Sequence, residues 1–160
     1  AQGAIFSMTI LVRSFISTFG GSLDSKGRVC IPASYRQILA AQETPGVFLC
    51  PSFVYPALEG FGQTQLAAAA ARLSSLDPFF SAAHDDQAAQ VLAESHALPI
   101  DENGRVRLPE AMIAAAGLKS SVVFIGLGEK FQIWDPDTYA PIKAERAERA
   151  RAARAAGGAP

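Results

Sequence analysis

A ten-residue pattern occurs twice in this chain and constrains its fold more than any other feature. LDSKGRVCIP begins at Leu23, and IDENGRVRLP begins 77 residues later at Ile100. In each copy an Asp is followed by Gly at the third position, Arg at the fourth, Val at the fifth and Pro at the eighth. Asp and Gly at this spacing are typical of a tight turn between antiparallel strands. The pattern therefore predicts two similar β-hairpins.

The residues around the first copy predict a longer unit. Residues 15–23 contain β-forming side chains, and RVCI predicts the return strand of the hairpin. Pro32 is suited to a helix start, and ASYRQILAA has apolar side chains at helical spacing. Residues 47–50 predict a short buried strand, and FVYPALEGF predicts a further strand that ends near Pro56, with its aromatic side chains in the core.

The second copy is followed by the same order of elements. HALPI leads into the turn DENG and the strand RVRL, and Pro109 precedes the helix EAMIAAAG, which Gly117 closes. SVVFIGL predicts the buried strand and KFQIWD the last one. Both halves therefore follow the order strand, turn, strand, helix, strand, strand, which indicates an internal duplication.

These elements predict an α+β protein with two repeats. The Ala-rich residues between them predict two helices broken near Asp77, and IKAERAERARAARAA predicts a helix in which Glu145 and Arg149 form an i,i+4 pair. The expected segments are a first repeat at 13–60, a helical connector at 61–97, a second repeat at 98–142, and a helical, partly disordered tail at 143–160.

The charge of the chain is unevenly distributed. The formal net charge is −1, which does not by itself indicate a nucleic-acid partner. Residues 1–50 carry four Lys or Arg against two Asp or Glu, residues 51–100 carry one against five, and residues 143–160 carry five against two. A nucleic acid would therefore have to be contacted by a local cluster of cations.

The remaining composition argues against several classes of site. Cys30 and Cys50 are too few for a disulfide scaffold and lack metal spacing, which indicates a reducing cytosolic setting. The apolar stretch AIFSMTILV has only nine residues, so we expect neither a signal peptide nor a membrane anchor. His84-Asp85-Asp86 and His96 lack a further convincing ligand in a solvated connector. We therefore expect no metal, no cofactor and no enzymatic activity.

The paired D-x-x-x-R motifs admit two interpretations. Asp24 and Asp101 could be turn formers only, with Arg28 and Arg105 solvated or paired with them. A tight turn requires the Asp and the Gly, however, and nothing about a turn requires Arg at the next position twice. The repeated arginine therefore favours a binding function.

LDSKGRVCIPASYR resembles the signature of MraZ proteins, bacterial regulators with two AbrB-like, swapped-hairpin repeats. The resemblance extends from about residue 15 to about residue 139 and includes VYPALE, FQIWDPDTY and ARLSSLDP. The second copy departs from the first, since Asn103 replaces Lys26 and Arg107 replaces Cys30. The tail beyond residue 143 shows no particular match.

The resemblance implies tandem AbrB/MraZ-like swapped-hairpin β-barrel halves, in which fusion of two copies replaces a symmetric dimer by an intramolecular one. It implies a transcriptional regulator that binds G-containing DNA repeats upstream of its own division and cell-wall gene cluster. It also implies a ring-shaped homo-oligomer in the cytoplasm, associated with the nucleoid and not with a membrane.

The candidate contact residues follow from the chemistry of DNA. A two-stranded ribbon fits the major groove, and an arginine can donate two hydrogen bonds to a guanine edge. The candidates for DNA contact are Lys26 and Arg28 first, then Arg36, Arg105, Arg107 and Arg13. The turn residues are Asp24, Gly27, Asp101 and Gly104. Asp24 would orient the side chain of Arg28. The carboxylates of Asp24 and Asp101 could also form pairs across the two copies.

Two alternatives remain open. An antitoxin-like module with the same hairpin fold would use its helical tail to neutralise a protein partner, but it would have a single hairpin unit. A purely structural oligomer would use the hairpin arginines only to pair with aspartates.

Overall fold

The computed structural model describes residues 14–157 of the protein. Within them, eight strands are arranged in antiparallel sheets and accompanied by five α-helices. The strands are β1 (Thr18–Ser22), β2 (Arg28–Cys30), β3 (Val47–Pro51), β4 (Leu58–Phe61), β5 (His96–Leu98), β6 (Arg105–Arg107), β7 (Ser121–Gly126) and β8 (Phe131–Trp134). The α-helices are α1 (Ala33–Ala40), α2 (Gln63–Leu73), α3 (Ala82–Ala88), α4 (Glu110–Ala115) and α5 (Pro136–Ala155).

The main sheet joins the two halves of the chain. Its order is β1-β7-β8-β4-β3-β5, and every neighbouring pair is antiparallel. The first strand of each half pairs with the third strand of the other half, since β1 pairs with β7 and β5 pairs with β3. β4 and β8 meet at the centre. The two halves therefore contribute alternately to one sheet.

β2 and β6 form a separate two-stranded ribbon. Arg28 lies opposite Arg107, Val29 opposite Val106, and Cys30 opposite Arg105. Both valines are fully buried. Because side chains alternate between the faces of a strand, the residues on either side of each valine lie on the opposite, outer face.

The core beneath the ribbon is centred on Tyr35 of α1. Its ring packs at 5.3 Å from that of Phe15 and at 5.0 Å from that of Phe131. The hydroxyl of Tyr35 donates a hydrogen bond to the carbonyl of Ser17 at 2.7 Å. Ser17 has a φ of 73°, and the amide of Gly126 also donates to its carbonyl, at 3.0 Å. The buried ring thus fixes a strained residue before β1.

The predicted elements of the hairpins and the connector are largely confirmed. β2, α1, β3, α4, β7 and β8 lie where the sequence places them, and Gly117 follows α4 with a positive φ of 59°. The connector contains α2 and α3, broken around Asp77 as predicted, and a π-helical turn at Ala89–Ala93. The side chain of Ser81 caps α3 by accepting a hydrogen bond from the amide of His84 at 3.2 Å.

The predicted strand ending near Pro56 is wrong. Phe53 is 76% exposed and not part of the core. The hydroxyl of Ser52 accepts hydrogen bonds from the amides of Val54 and Tyr55 at 3.2 and 3.1 Å. These side-chain bonds stabilise a turn that competes with a strand ladder. The strand begins only at Leu58, after this turn.

α5 begins at a capped N-terminus, and its residues Tyr139, Ile142 and Arg146 attach it to the body. The side chain of Asp135 accepts a hydrogen bond from the amide of Thr138 at 3.1 Å.

None of the helices described between residues 14 and 157 combines the length and the apolar character needed to span a membrane. The stretch AIFSMTILV and the last three residues lie outside the described part of the chain.

Arg146 of α5 lies among three aromatic rings. Its guanidinium carbon is 5.2 Å from the ring centroid of Tyr55, 5.8 Å from that of Trp134 and 5.6 Å from that of Tyr139. Its Nη2 donates to Oε1 of the buried Gln132 at 3.1 Å. We call these five residues the arginine clamp; they fix the first half of α5 on the sheet.

Candidate nucleic-acid interface

The first repeated motif forms a turn closed by its own aspartate. Oδ1 of Asp24 accepts hydrogen bonds from the amides of Lys26 and Arg28, both at 2.9 Å. The Asp24 carbonyl accepts from the amide of Gly27 at 3.0 Å, and Gly27 adopts a φ of 76°. The Asp and Gly of the motif therefore have the turn-forming roles that their chemistry predicts.

The second motif repeats this geometry. Oδ1 of Asp101 accepts from the amide of Asn103 at 2.8 Å and from that of Arg105 at 2.9 Å. The amide of Gly104 donates to the Asp101 carbonyl at 3.0 Å, and Gly104 has a φ of 78°. The two turns are thus equivalent in backbone although they differ at the tip.

These hydrogen bonds stabilise the ionised carboxylates. The amide of Arg28 is the main cause that lowers the pKa of Asp24, and partial burial opposes it. The amide of Arg105 is likewise the main cause that lowers the pKa of Asp101. The positive charge of Arg28 lowers this pKa more weakly. Both aspartates are therefore anionic at neutral pH.

Each aspartate also pairs with the arginine of its own motif. Nε of Arg28 lies 2.8 Å from Oδ2 of Asp24, and Nε of Arg105 lies 3.5 Å from Oδ2 of Asp101. The carboxylates do not pair across the halves as the sequence allowed. Nε of Arg28 donates the hydrogen bond to the Asp24 carboxylate. Nη1 and Nη2 of Arg28 make no hydrogen bond to any residue in the described part of the chain.

The turn glycines make backbone hydrogen bonds across the halves. The amide of Leu108 donates to the carbonyl of Gly27 at 2.8 Å, and the amide of Ile31 donates to the carbonyl of Gly104 at 2.9 Å. Each turn is therefore fastened to the segment that follows the ribbon strand of the other half. The positions of the two motifs depend on each other.

The ribbon brings three arginines to one face. Arg28, Arg105 and Arg107 lie on the outer face of β2 and β6, opposite in direction to the buried valines. Arg107 is exposed, and among residues 14–157 no carboxylate lies within 4.0 Å of it. Directly opposed like charges such as Arg28 and Arg107 destabilise a strand pair. Their presence favours a binding role over a structural one.

Lys26 lies exposed at the tip of the first turn. The corresponding tip of the second turn carries Glu102 and Asn103. A groove of about 1000 Å³ is lined by the first turn and by Asp101 of the second, and includes Lys26, the three ribbon arginines and the acidic Glu110. The first turn is therefore the more basic of the two.

Arg36 occupies a different position from the other candidates. Its Nη1 donates to the carbonyl of Ile31 at 2.7 Å and lies 3.5 Å from Sγ of Cys30. The side chain is half-buried and extends over Gly104. The geometry gives it a role in holding the second turn. Arg13, the remaining candidate, lies outside the described residues.

The histidines of the connector form no metal site in the structure. Nδ1 of His84 is 3.2 Å from Oδ1 of Asp85, and His96 is exposed at the start of β5. Within residues 14–157, no three His, Cys, Asp or Glu side chains are grouped so that they could hold a metal ion.

Neither the arginine clamp nor the contact of Arg36 with Gly104 was predicted from the sequence. A signal for the clamp exists, because Tyr139 and Arg146 are seven residues apart and therefore share one face of a helix. No such periodicity links Arg36 to Gly104, since the contact depends on the pairing of the two halves.

Comparison with known proteins identifies relatives over most of the chain. A family model described as "MraZ protein, putative antitoxin-like" matches residues 91–157. This match includes the tail, so the expectation that the tail has no counterpart is wrong. A protein of Gluconobacter oxydans named transcriptional regulator MraZ is 43% identical over 129 residues, covering 79% of this chain and 78% of its own length.

Two further relatives carry the same name. The protein of Gluconacetobacter diazotrophicus is 42% identical over 134 residues, covering 82% of this chain and 84% of its own length. That of Xanthobacter autotrophicus is 40% identical over 123 residues, covering 77% and 78%. At this identity and coverage, with both turns built alike around D-x-x-x-R, the chain belongs to the MraZ family.

Proposed function

We propose that the protein is a sequence-specific DNA-binding transcriptional regulator and not an enzyme. The observation that carries this proposal is the outer face of the ribbon, where three guanidinium groups lie on two paired strands beside Lys26. A two-stranded ribbon fits the width of the major groove of B-DNA. The names of the relatives support the same function.

The candidate cations have different roles in the proposed binding of DNA. Arg28, fixed through Nε by Asp24, presents its two terminal amino groups to a guanine edge, which offers two acceptors. Lys26 and Arg107 neutralise phosphates, and Arg105 extends the cationic face from the second half. Arg36 supports the second turn from behind, and Arg13 precedes β1 as a further phosphate contact.

The proposed DNA-binding site follows from the arrangement of the two repeats. The two repeats, residues 13–60 and 98–142, would be AbrB-like swapped hairpins joined by the connector at 61–97 and followed by the tail at 143–160. The exchange of β1 and β5 between the halves supports this assignment. One chain then supplies both hairpins of a unit that would otherwise require a dimer.

A single unit has limited affinity for DNA. One two-donor contact to a base discriminates by about 1–3 kcal/mol. The cations of the groove are also offset by Asp24, Asp101 and Glu110. Linked copies that contact repeated boxes multiply such weak contacts. We therefore propose a ring-shaped homo-oligomer that binds repeats upstream of its own gene, in the division and cell-wall cluster, within the cytoplasm and at the nucleoid.

Fluorescence anisotropy with a labelled duplex from the region upstream of the gene tests the proposal. Arg28→Ala should weaken binding at least about tenfold, corresponding to ~1.4 kcal/mol. Arg28→Lys keeps the charge but loses the two-donor geometry, so it should retain non-specific binding and lose sequence preference. Raising the salt concentration should weaken binding steeply because phosphate contacts release counterions.

The control is Arg154→Ala, which removes the same charge from the exposed end of α5. It should leave affinity within about twofold, a change of under ~0.5 kcal/mol. Unchanged binding by the double variant Lys26→Ala/Arg28→Ala would show that the site is misassigned. If that variant lost only stability, the structural role of the Asp24–Arg28 pair would be the correct interpretation.

A further inference from the structure

The loop between α2 and α3 presents two unburied phenylalanines. Phe79 is 86% exposed and Phe80 is 91% exposed. Soluble proteins seldom expose adjacent large apolar side chains without an interaction to bury them. We call this pair the aromatic tip.

The backbone of the aromatic tip is held in place. Oδ1 of Asp77 accepts hydrogen bonds from the amides of Phe79 and Phe80, at 2.9 and 3.2 Å. Ser81 then caps α3 through the amide of His84. The two rings are therefore displayed by a defined turn between two helices, so that little conformational entropy is lost when they are bound.

A groove of about 620 Å³ lies on the same connector. Its walls come from α2, α3 and the π-helical turn, and its apolar lining consists of Phe53, Ala69, Leu73, Ala89 and Val91. An apolar cavity of about 150 Å³ suffices for one benzene ring. We call this the connector groove; it has room for both rings of an aromatic tip.

The charges at the two surfaces allow one new ion pair. Arg72 and Asp86 both line the connector groove, and Arg72 has 68% of its side chain exposed and a long ion pair, 3.9 Å, with Glu129. Asp77 lies at the base of the aromatic tip and uses Oδ1 for the turn. An incoming tip would bring its Asp77 carboxylate towards Arg72.

We propose that the aromatic tip of one copy of this chain inserts into the connector groove of a second copy. The proposal deepens the homo-oligomer of the proposed function, on which it rests, by assigning the surfaces that join the subunits. Tip and groove are different surfaces of one chain, so the contact is heterologous. Such a contact propagates from subunit to subunit and either closes into a ring or extends as a filament.

The first experiment measures the mass of the assembly in solution by light scattering. Phe79→Ser/Phe80→Ser should reduce the wild-type assembly to the monomer of 16.8 kDa. Arg72→Glu, a change at an exposed side chain, should do the same by repelling Asp77. Leu127→Ser is the matched control, since Leu127 is also an exposed large apolar residue, at 42%, and should leave the mass unchanged.

The second experiment distinguishes a heterologous contact from any other. The tip variant keeps an intact groove, and Arg72→Glu keeps an intact tip. Mixing the two should therefore give a heterodimer of twice the monomer mass and nothing larger. If the mixture stays monomeric although both variants are folded by circular dichroism, the tips pair with each other or with another surface, and the proposal is wrong.

The outcomes also separate this inference from the function on which it rests. A wild-type oligomer whose mass is unchanged in the tip and groove variants would overturn the docking of tip into groove and leave the oligomer standing. A monomeric wild-type protein would overturn both. Binding of a single DNA box by the tip variant should be retained, because the ribbon is not altered.

Discussion

The guanidinium group of Arg36 covers Gly104 across the boundary between the two halves of the chain. A Cβ atom on Gly104 would lie 2.2 Å from Nη1 of Arg36, the nitrogen that donates to the carbonyl of Ile31. In the first turn the corresponding neighbour is apolar, since a Cβ on Gly27 would lie 3.4 Å from Cδ1 of Ile113. Equivalent turns are thus supported by different chemistry.

This difference predicts unequal effects of alanine at the two glycines. Both glycines have a positive φ, near 76° and 78°, which costs an L-residue roughly 1–2 kcal/mol. Gly104→Ala must also displace Arg36 and break the hydrogen bond between Arg36 and the carbonyl of Ile31. It should therefore destabilise the protein by about 1 kcal/mol more than Gly27→Ala, the typical value of one hydrogen bond. Urea unfolding at neutral pH measures the loss of stability in both variants.

The double variant Arg36→Ala/Gly104→Ala provides the control for this prediction. It should be less destabilised than the sum of the single variants, because the displaced side chain is absent. Equal losses for Gly27→Ala and Gly104→Ala would contradict the steric role of Arg36.

Tyr35 should make the protein sensitive to alkali. Burial raises its pKa to about 12, above the ordinary value of 10.0. The unfolded chain therefore loses the phenol proton at lower pH than the folded one, and the stabilisation is complete below about pH 10 and lost as pH rises towards 12. Denaturant midpoints measured from neutral to alkaline pH should fall in that window.

Tyr35→Phe isolates the contribution of the hydroxyl. The variant should lose up to ~1 kcal/mol at neutral pH, since the Ser17 carbonyl keeps its bond from Gly126. It should lack the part of the alkaline decline that Tyr35 causes. An identical decline in the variant would assign the effect to other groups.

The turn aspartates should make the protein sensitive to acid. Amide hydrogen bonds lower the pKa of Asp24 and of Asp101 below 3.8. The unfolded chain then binds protons more readily than the folded one, so stability is complete above the ordinary pKa and declines as pH falls below it. The double variant Asp24→Asn/Asp101→Asn should show a shallower decline in urea midpoints below about pH 4.

Arg146 should determine how firmly α5 is attached. Arg146→Ala removes the contacts with three rings and the bond to Gln132, interactions that together amount to about 1–3 kcal/mol. Hydrogen exchange in the first half of α5, which the clamp holds, should accelerate about tenfold or more. Arg149→Ala, whose pair with Glu145 at 3.7 Å is exposed, is the matched control and should change little.

The sequence predicted the parts of the site that are determined locally. The turns at Asp24 and Asp101 depend on neighbouring residues only, so their conformation could be derived from the motif. The opposition of Arg28 and Arg107 could not, because it depends on the register of two strands that are far apart in the chain. Phe53 was misplaced for a related reason, since its aromatic character favours a strand and the Ser52 side chain favours a turn.

The exchange of strands between the halves has a consequence during synthesis of the chain. β1 finds its partner only when β7 has been made, and Cys30 of β2 pairs with Arg105, 75 residues further on. At roughly 5–20 residues per second, a ribosome needs about 4–15 s to supply that stretch. During this interval the first half presents unpaired strand edges, which pair readily with other chains. Nascent copies on one messenger are therefore exposed to mispairing until the second half emerges.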